Sequence, residues 1–273
     1  MNVVLGARGR LGRAIASSFE NGQVQTPDRS VYADWWRDGS EDTISRYLEN
    51  AAGLQSVVYL TAGIIDPRRP VDEHQQVNFA LARNLIVGAT RLGLKVVTFG
   101  TVMETVVGDS SDNPYFSSKT RLSRFVDEFC ADSTLALHVR IHTLYGGGPP
   151  EKFMFLGQIL DAISNRTDFR MTLGTQLREY HHLDDEVTAL AALMTARTSG
   201  VIELSHGNPI KLCDLASYIF AACDSTSLLK IGAIPEPAKD NFGMTFNRPA
   251  VLDSVAFRDA LPAVVQYLHA CQQ

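Results

Sequence analysis

Several classes of protein are excluded by what this sequence has little of. No apolar run approaches the ~18 residues that a membrane-spanning helix needs. Positive charge is not in excess: Lys and Arg number 25 against 30 Asp and Glu, a formal net charge of −5. The broad basic footprint of a nucleic-acid binder is therefore missing. The four cysteines, Cys130, Cys213, Cys223 and Cys271, include no CxxC pair, so neither a zinc ribbon nor a disulfide framework is indicated. They read as reduced thiols packed as small hydrophobes in a cytoplasmic protein. The chain reaches Arg8 too soon for the apolar core of a signal peptide. Hydrophobic residues make up 45% and charged residues 20% of the 273 positions, which suits a folded chain and not a disordered one. That length allows one large domain, or a core with a small appendage.

What is present starts at the second residue. Residues 2–5 (Asn-Val-Val-Leu) read as a short buried strand and 6–12 (Gly-Ala-Arg-Gly-Arg-Leu-Gly) as a turn. A helix follows, with Leu11, Ile15 and Phe19 in one row. Apolar runs at 57–62, 96–99 and 135–141 read as strands covered on both faces. Between them, 78–92 and 115–129 have helical spacing, with Leu81, Leu85 and Ala89 in one row and Leu122, Phe125, Val126 and Phe129 in the other. Strand alternating with helix predicts an α/β fold, a Rossmann-like doubly wound parallel sheet with right-handed crossovers. After the breaker cluster 146–150 (Gly-Gly-Gly-Pro-Pro) the rhythm changes. Helices are expected at 153–164, 184–196 and 212–222, short strands near Arg170 and Val201, and a last helix in the tail. The expected division is a core over 1–146 and a small mixed α/β cap over 147–273, interleaved with late strands and helices of the core.

Strand, glycine turn and helix form the setting a phosphate-binding loop needs. Gly6 can take the tight turn, Gly9 lets a pyrophosphate approach the backbone, and Gly12 lets helix and strand pack closely. Arg8, Arg10 and Arg13 lie near the start of the helix, where the dipole disfavours each cation by roughly 0.3–1 kcal/mol. A bound anion would offset that cost; otherwise Arg10 and Arg13 point into water. Arg8, at the loop tip, is the candidate phosphate ligand, with Arg10 and Leu11 beside it. The second strand should end near 24–26, where an acid would bond a ribose hydroxyl and an arginine would accept a 2′-phosphate. It closes on Thr26. Asp28 comes two residues late with Arg29 beside it. This favours NADP(H), with NAD(H) the alternative.

Tyr115 and Lys119 are four residues apart at the start of a helix and share a face. Tyrosine, with a pKa near 10, needs roughly 4 kcal/mol of differential stabilisation to act near neutrality. An adjacent ammonium, the helix N-terminus and a positive cofactor ring are the expected sources. Thr101 follows the strand Val-Val-Thr-Phe-Gly (96–100), at the carboxyl end where such sheets place their ligands. Its hydroxyl can hold a carbonyl for protonation by Tyr115.

Glycine loop, strand-end threonine and YxxxK together resemble the extended branch of the short-chain dehydrogenase/reductase superfamily, which holds nucleotide-sugar epimerases, dehydratases and reductases. Leu60-Thr61-Ala62-Gly63 resembles that family's strand end beside the cofactor, and Asn78 its central asparagine-bearing helix. Residues 140–146 resemble its LRxxNxYG strand, with Thr143 where the asparagine stands, and 178–185 its RDFxxVxD segment. The resemblance implies Thr101, Tyr115 and Lys119 as the proton-handling trio and Arg178 as a ligand of the nucleotide-sugar phosphates.

Departures from the family narrow the reaction. Val102 and Met103 follow Thr101 where the 4,6-dehydratases carry an acid pair. The loop after Tyr145 lacks the histidine of the epimerising reductases. Segments 99–101, 144–148 and 173–180 are similar to the small 4-ketoreductases that finish dideoxyhexoses, such as CDP-paratose and CDP-abequose synthases. This implies NADPH-dependent reduction of a nucleotide-linked 4-keto-6-deoxy sugar. Thr101, Met103, Thr143, Lys152, Phe153, Gln176 and Arg178 are then the substrate contacts. A C4 epimerase holding NAD, and a non-catalytic dinucleotide-sensing module, are the competing readings. The helices 78–92 and 115–129 imply a homodimer. No metal site is expected: His181-His182 and Asp184-Asp185 read as a strand end followed by an acidic first helical turn, which suits the dipole.

Overall fold

The computed structural model describes residues 1–51, 56–108 and 112–272. The chain divides into two compact units, Met1–Ile141 with Leu190–Leu204, and His142–Ala189 with Ser205–Gln273. The first division therefore falls at Ile141, a few residues ahead of the expected 146/147 boundary, and the segment 190–204 returns to the first unit. The glycine cluster marks a loop inside the second unit, because Thr143–Tyr145 already pairs with Tyr180–His182 there.

The first unit is built on a 6-stranded sheet. Its strands are Asn2–Leu5, Val24–Gln25, Val57–Leu60, Lys95–Thr101, Ala136–Ile141 and Gly200–Glu203. Every pairing is parallel. In sequence order the strands lie 2-1-3-4-5-6, so the order reverses between the first strand and the third. Parallel strands covered on both faces lose their polar alternation, and the side chains from Val3 to Leu5, with Val96 and Val97, are fully buried. The helices Arg10–Ser17, Glu41–Ala51, Leu81–Thr90 and Pro114–Phe129 connect successive strands. Their inner rows, Ile44, Leu48, Leu85, Ile86, Leu122 and Val126, join one core with Trp35. Trp35 sits edge-on to Tyr47, with ring centroids 5.5 Å apart, and is packing, not an adenine platform.

The fourth strand is longer than expected and runs over Lys95–Thr101, so Thr101 is its last residue and does not follow it. Two further departures from the expected extents lie beside the site. The third strand stops at Leu60, not at residue 62. The backbone N–H groups of Thr61 and Ala62 both turn to Leu5 O, at 2.8 and 3.1 Å, which ends the ladder. The helix expected over 78–92 begins earlier, as the turn Val71–His74, and passes through a π-helical segment, Gln75–Ala80, before Leu81–Thr90.

The second unit is mixed α/β. It pairs Thr143–Tyr145 with Tyr180–His182, Leu177–Arg178 with Ile210–Lys211, and Phe169–Arg170 with Leu229–Lys230. The helices Phe155–Asn165, Leu212–Ala222 and Ala260–Gln272 enclose a second core that includes Ile159, Phe169, Tyr180, Leu215, Phe220 and Val264. The four cysteines are free. Among the described residues no helix is long and apolar enough to cross a membrane.

Candidate active site

The order reversal places two strand ends side by side, and each carries part of a cradle. Gly6 leaves the first strand at φ +95°, a conformation that favours glycine. A Cβ there would lie 2.4 Å from Ala62 N, and one at Gly12 would lie 2.4 Å from Gly6 O. Thr61 Oγ1 closes the seam by donating to Leu5 O at 2.9 Å. These two glycines are thus required by the protein's own packing. Gly9 is different. It has extended backbone, φ −74°, at the N-cap, and a Cβ there would meet only Gly6 O at 3.4 Å. Among the described residues nothing else stands within 4 Å of that Cβ position, so packing alone does not call for a glycine there. The helix Arg10–Ser17 has no side-chain cap and no acid in its first turn, which leaves its positive end available to a phosphate.

Arg8 is exposed at the loop tip and pairs with Asp28. Asp28 caps the turn Arg29–Tyr32 through the Ser30 N–H at 3.1 Å. The Ser30 bonds and the Arg8 guanidinium hold its carboxyl below the usual carboxylate range. The acid that looked two residues late in sequence therefore reaches the arginine expected to read a phosphate. The two side chains are 85% and 53% exposed, so this ion pair is weak and a stronger anion can open it. Arg29 is exposed.

The second half of the site is the helix Pro114–Phe129, started by the Asn113 side chain, which accepts the Tyr115 N–H at 3.0 Å. Lys119, only 8% exposed, donates from Nζ to Phe99 O at 2.7 Å. Asn78, in the π segment, donates to Ser118 Oγ at 3.1 Å and to Ile64 O at 2.9 Å, and accepts the Ile64 N–H at 2.8 Å. A Cβ on Gly63 would be 3.2 Å from Asn78 Oδ1 and 3.7 Å from Lys119 Nζ. The cradle residues 60–63 and the tyrosine–lysine helix thus converge on one place. A π segment at such a spot is a recurrent mark of function.

Glu104 was not anticipated from the sequence. It is 3% exposed and sits in the turn after Thr101. Its carboxylate accepts the Thr101 N–H at 2.7 Å and faces His138 Nε2 at 3.3 Å and Arg140 Nε at 3.2 Å. Gly100 makes room, since a Cβ there would be 2.1 Å from Glu104 Oε1. The signals that could have found it are single polar residues in apolar runs: Glu104 within Val-Met-Glu-Thr-Val-Val and His138 within Ala-Leu-His-Val.

Glu104 changes the electrostatics expected of the site. Burial and its negative charge raise the Tyr115 phenol well above its ordinary value, where the sequence reading looked for a lowering. Burial brings Lys119 down to about 8, with Glu104 opposing that shift. Burial and the nearby Glu104 carboxylate therefore account for the difference from the expected lowering. Thr101 is half-buried, and its hydroxyl accepts the Met103 N–H at 3.3 Å.

In the second unit, Arg178 forms an ion pair with Asp240. Gln176 donates to Glu236 Oε2 at 2.9 Å. Both carboxylates come from one loop, and Leu177 N–H donates to Asn241 O of the same loop at 2.7 Å. Thr143 N–H donates to Glu179 O at 3.1 Å. Lys152 is exposed and Phe153 half-buried.

Comparison with known proteins agrees with this architecture. No curated protein sequence matches the chain. A dTDP-4-dehydrorhamnose reductase from Bacillus anthracis, solved with NADP, is 15% identical, with 99% of each chain covered and a TM-score of 0.76. A UDP-N-acetylglucosamine 4-epimerase from Methanobrevibacter ruminantium is 16% identical, covering 100% and 99% of the two chains at a TM-score of 0.76. A dTDP-glucose 4,6-dehydratase double mutant from Streptomyces venezuelae, with NAD bound, is 13% identical, covering 100% and 97% at a TM-score of 0.77. At these identities the likeness is one of fold. The sequence match covers residues 2–204, and with the glycine cradle, Tyr115 and Lys119 it leads to one conclusion: the chain belongs to the NAD dependent epimerase/dehydratase family, NAD(P)-dependent enzymes that act on nucleotide sugars.

Proposed function

We propose that this protein is a reductase of the C4 keto group of a nucleotide-linked 4-keto-6-deoxy sugar, with NADP(H) as its dinucleotide and NAD(H) as the weaker alternative. The observation that carries the reading is the state of Glu104. It is the nearest acid to Thr101 along the chain, and its carboxylate is already engaged by the Thr101 N–H, His138 and Arg140. A carboxylate so occupied is poorly placed to remove or deliver a second substrate proton, as dehydration requires. That speaks against dehydration, and of the two readings left, reduction and C4 epimerisation, the arginines at the cofactor loop favour the NADPH-dependent reduction.

The residues fit the cofactor. Gly6, Gly9 and Gly12 with Arg10 and Leu11 would hold the pyrophosphate, Arg8 and Arg29 a 2′-phosphate, and residues 60–63 the nicotinamide side. When bound, the dinucleotide supplies a hydride. Lys119 holds ribose hydroxyls and opposes the negative charge of Glu104 near Tyr115. Thr101 orients the substrate oxygen, and Tyr115 gives that oxygen its phenolic proton. Met103, Thr143, Lys152, Phe153, Gln176 and Arg178 contact the nucleotide sugar, with Arg178 on its phosphates. We also expect a homodimer.

The test is a spectrophotometric screen of NADPH and NADH oxidation with nucleotide 4-keto-6-deoxy sugars carrying CDP, dTDP, GDP and UDP. Oxidation with one nucleotide series, faster with NADPH, is expected. No oxidation with any of them, together with NAD retained through purification, would instead establish the epimerase reading.

A further inference from the structure

The second unit buries a set of metal-ligating side chains that the chemistry above does not use. Glu179, His181 and His206 are 1%, 1% and 8% exposed. One donor atom from each lies within 4.8 Å of the others. The distances centre on Glu179 Oε2, which is 3.1 Å from His181 Nε2, 3.5 Å from His206 Nδ1 and 3.7 Å from His142 Nε2. His206 Nδ1 also accepts the Asn208 N–H at 3.0 Å, a bond that a metal ion at that nitrogen would replace. Donors about 2.0–2.2 Å from a tetrahedral zinc ion stand about 3.3–3.6 Å from one another. The carboxylate-to-imidazole separations are close to the edges of that tetrahedron.

The surroundings point the same way. His181 Nδ1 is 2.8 Å from Glu186 Oε2, which is the carboxylate support that fixes the tautomer of a ligating imidazole. Glu179 is itself fixed, by the Ser205 hydroxyl at 2.7 Å and the His206 N–H at 2.8 Å. His142 Nε2, His206 Nε2 and Glu186 Oε1 are buried without a hydrogen-bond partner, which folded interiors rarely allow. Phe246 and Phe257 flank the rings at centroid distances of 5.1–5.6 Å, so the group sits in apolar surroundings.

We propose that Glu179, His181 and His206, with His142 beside them, form a site for a divalent transition metal, with zinc the ion that fits. Two imidazoles and one carboxylate suit zinc, whereas calcium and magnesium take oxygen donors. A metal ion at His181 Nε2 takes that nitrogen's lone pair, so any proton the nitrogen carries is released to water on binding. The sequence reading expected no metal, because it weighed His181 and His182 only against their neighbours in the chain. The proposal stands apart from the reductase reading.

The experiment uses the untagged full chain, stripped with a chelator and titrated with Zn2+ in competition with a chromophoric chelator. One equivalent per chain is expected, together with a rise in Tm. Glu186→Gln should weaken Zn2+ binding about 10- to 100-fold while leaving the far-ultraviolet circular dichroism of the metal-free chain unchanged. If that variant does not fold, His206→Gln takes its place, with at least the same expected loss. Cys223 Sγ and His269 Nε2 lie 3.4 Å apart near the surface and form a plausible adventitious pair. His269→Gln should therefore leave stoichiometry and affinity unchanged. Failure of the wild-type chain to bind an equivalent, or loss of binding in His269→Gln but not in Glu186→Gln, overturns the proposal.

Discussion

Tyr115 is held as a weaker acid than free tyrosine by burial and by Glu104. Under the proposed function, Tyr115→Phe removes the proton donor. It should lower kcat/KM about 10²- to 10⁴-fold, with dinucleotide binding, read by fluorescence titration, little changed. Glu104→Gln removes a negative charge that raises both Tyr115 and Lys119. Both groups should then titrate at lower pH, and the basic limb of the pH–kcat profile should move down. A purely structural role would lower the amplitude and leave the limb in place. Under the proposed function, Arg8 also carries the cofactor preference. Arg8→Ala should raise KM for NADPH about tenfold more than KM for NADH, roughly the worth of one charge-assisted bond. Asp28→Asn frees Arg8 and should lower KM for NADPH. A larger loss with NADH in the Arg8 variant would reverse the assignment.

The glycine loop separates what folding needs from what binding needs. Gly12→Ala drives a methyl group to within 2.4 Å of Gly6 O and should destabilise the chain by about 1–3 kcal/mol, read as a fall in Tm. Gly9→Ala meets nothing closer than 3.4 Å. It should leave Tm within the range of a surface change, about 0.5 kcal/mol, yet weaken dinucleotide binding. Unchanged binding in that variant would remove the loop from the cofactor site. Elements of this kind were legible in the sequence because their signals are local: a spacing of glycines, an apolar row, the interval between Tyr115 and Lys119. The π segment Gln75–Ala80 was not, since its cause is tertiary. Asn78 in that segment is tied to Ile64 and to Ser118. Glu104 escaped for the same reason: its partners His138 and Arg140 lie on a neighbouring strand.

For the molecule as a whole, buried titratable groups set the pH range of stability in the metal-free chain. Burial, helped by the charge of His181 and opposed by that of Glu179, lowers His142 to about 3 from 6.5. The unfolded chain therefore takes up a proton first, and stability falls as pH drops below about 6.5. Hydrogen bonds from His181 and Ser205 help hold Glu179 down at about 2 from 4.5, and its contribution is lost as pH falls below 4.5. His181, between Glu179 and Glu186, is raised to about 9, so its contribution is complete below 6.5 and lost as pH rises through 9. Tm should thus peak near pH 6.5 and fall on both sides, and His142→Phe should flatten the acid side. An unchanged acid slope in that variant would assign the fall to other groups. These residues were unreadable as a set because 142, 179 and 206 meet only after folding. The return of residues 190–204 to the first unit has a consequence during synthesis. The strand Ala136–Ile141 waits with one edge unpaired until Gly200–Glu203 has left the ribosome. An unpaired strand edge invites pairing with other chains. A nascent chain stalled between those two strands thus presents the edge of Ala136–Ile141 that the finished sheet covers, a form a chaperone would be expected to hold.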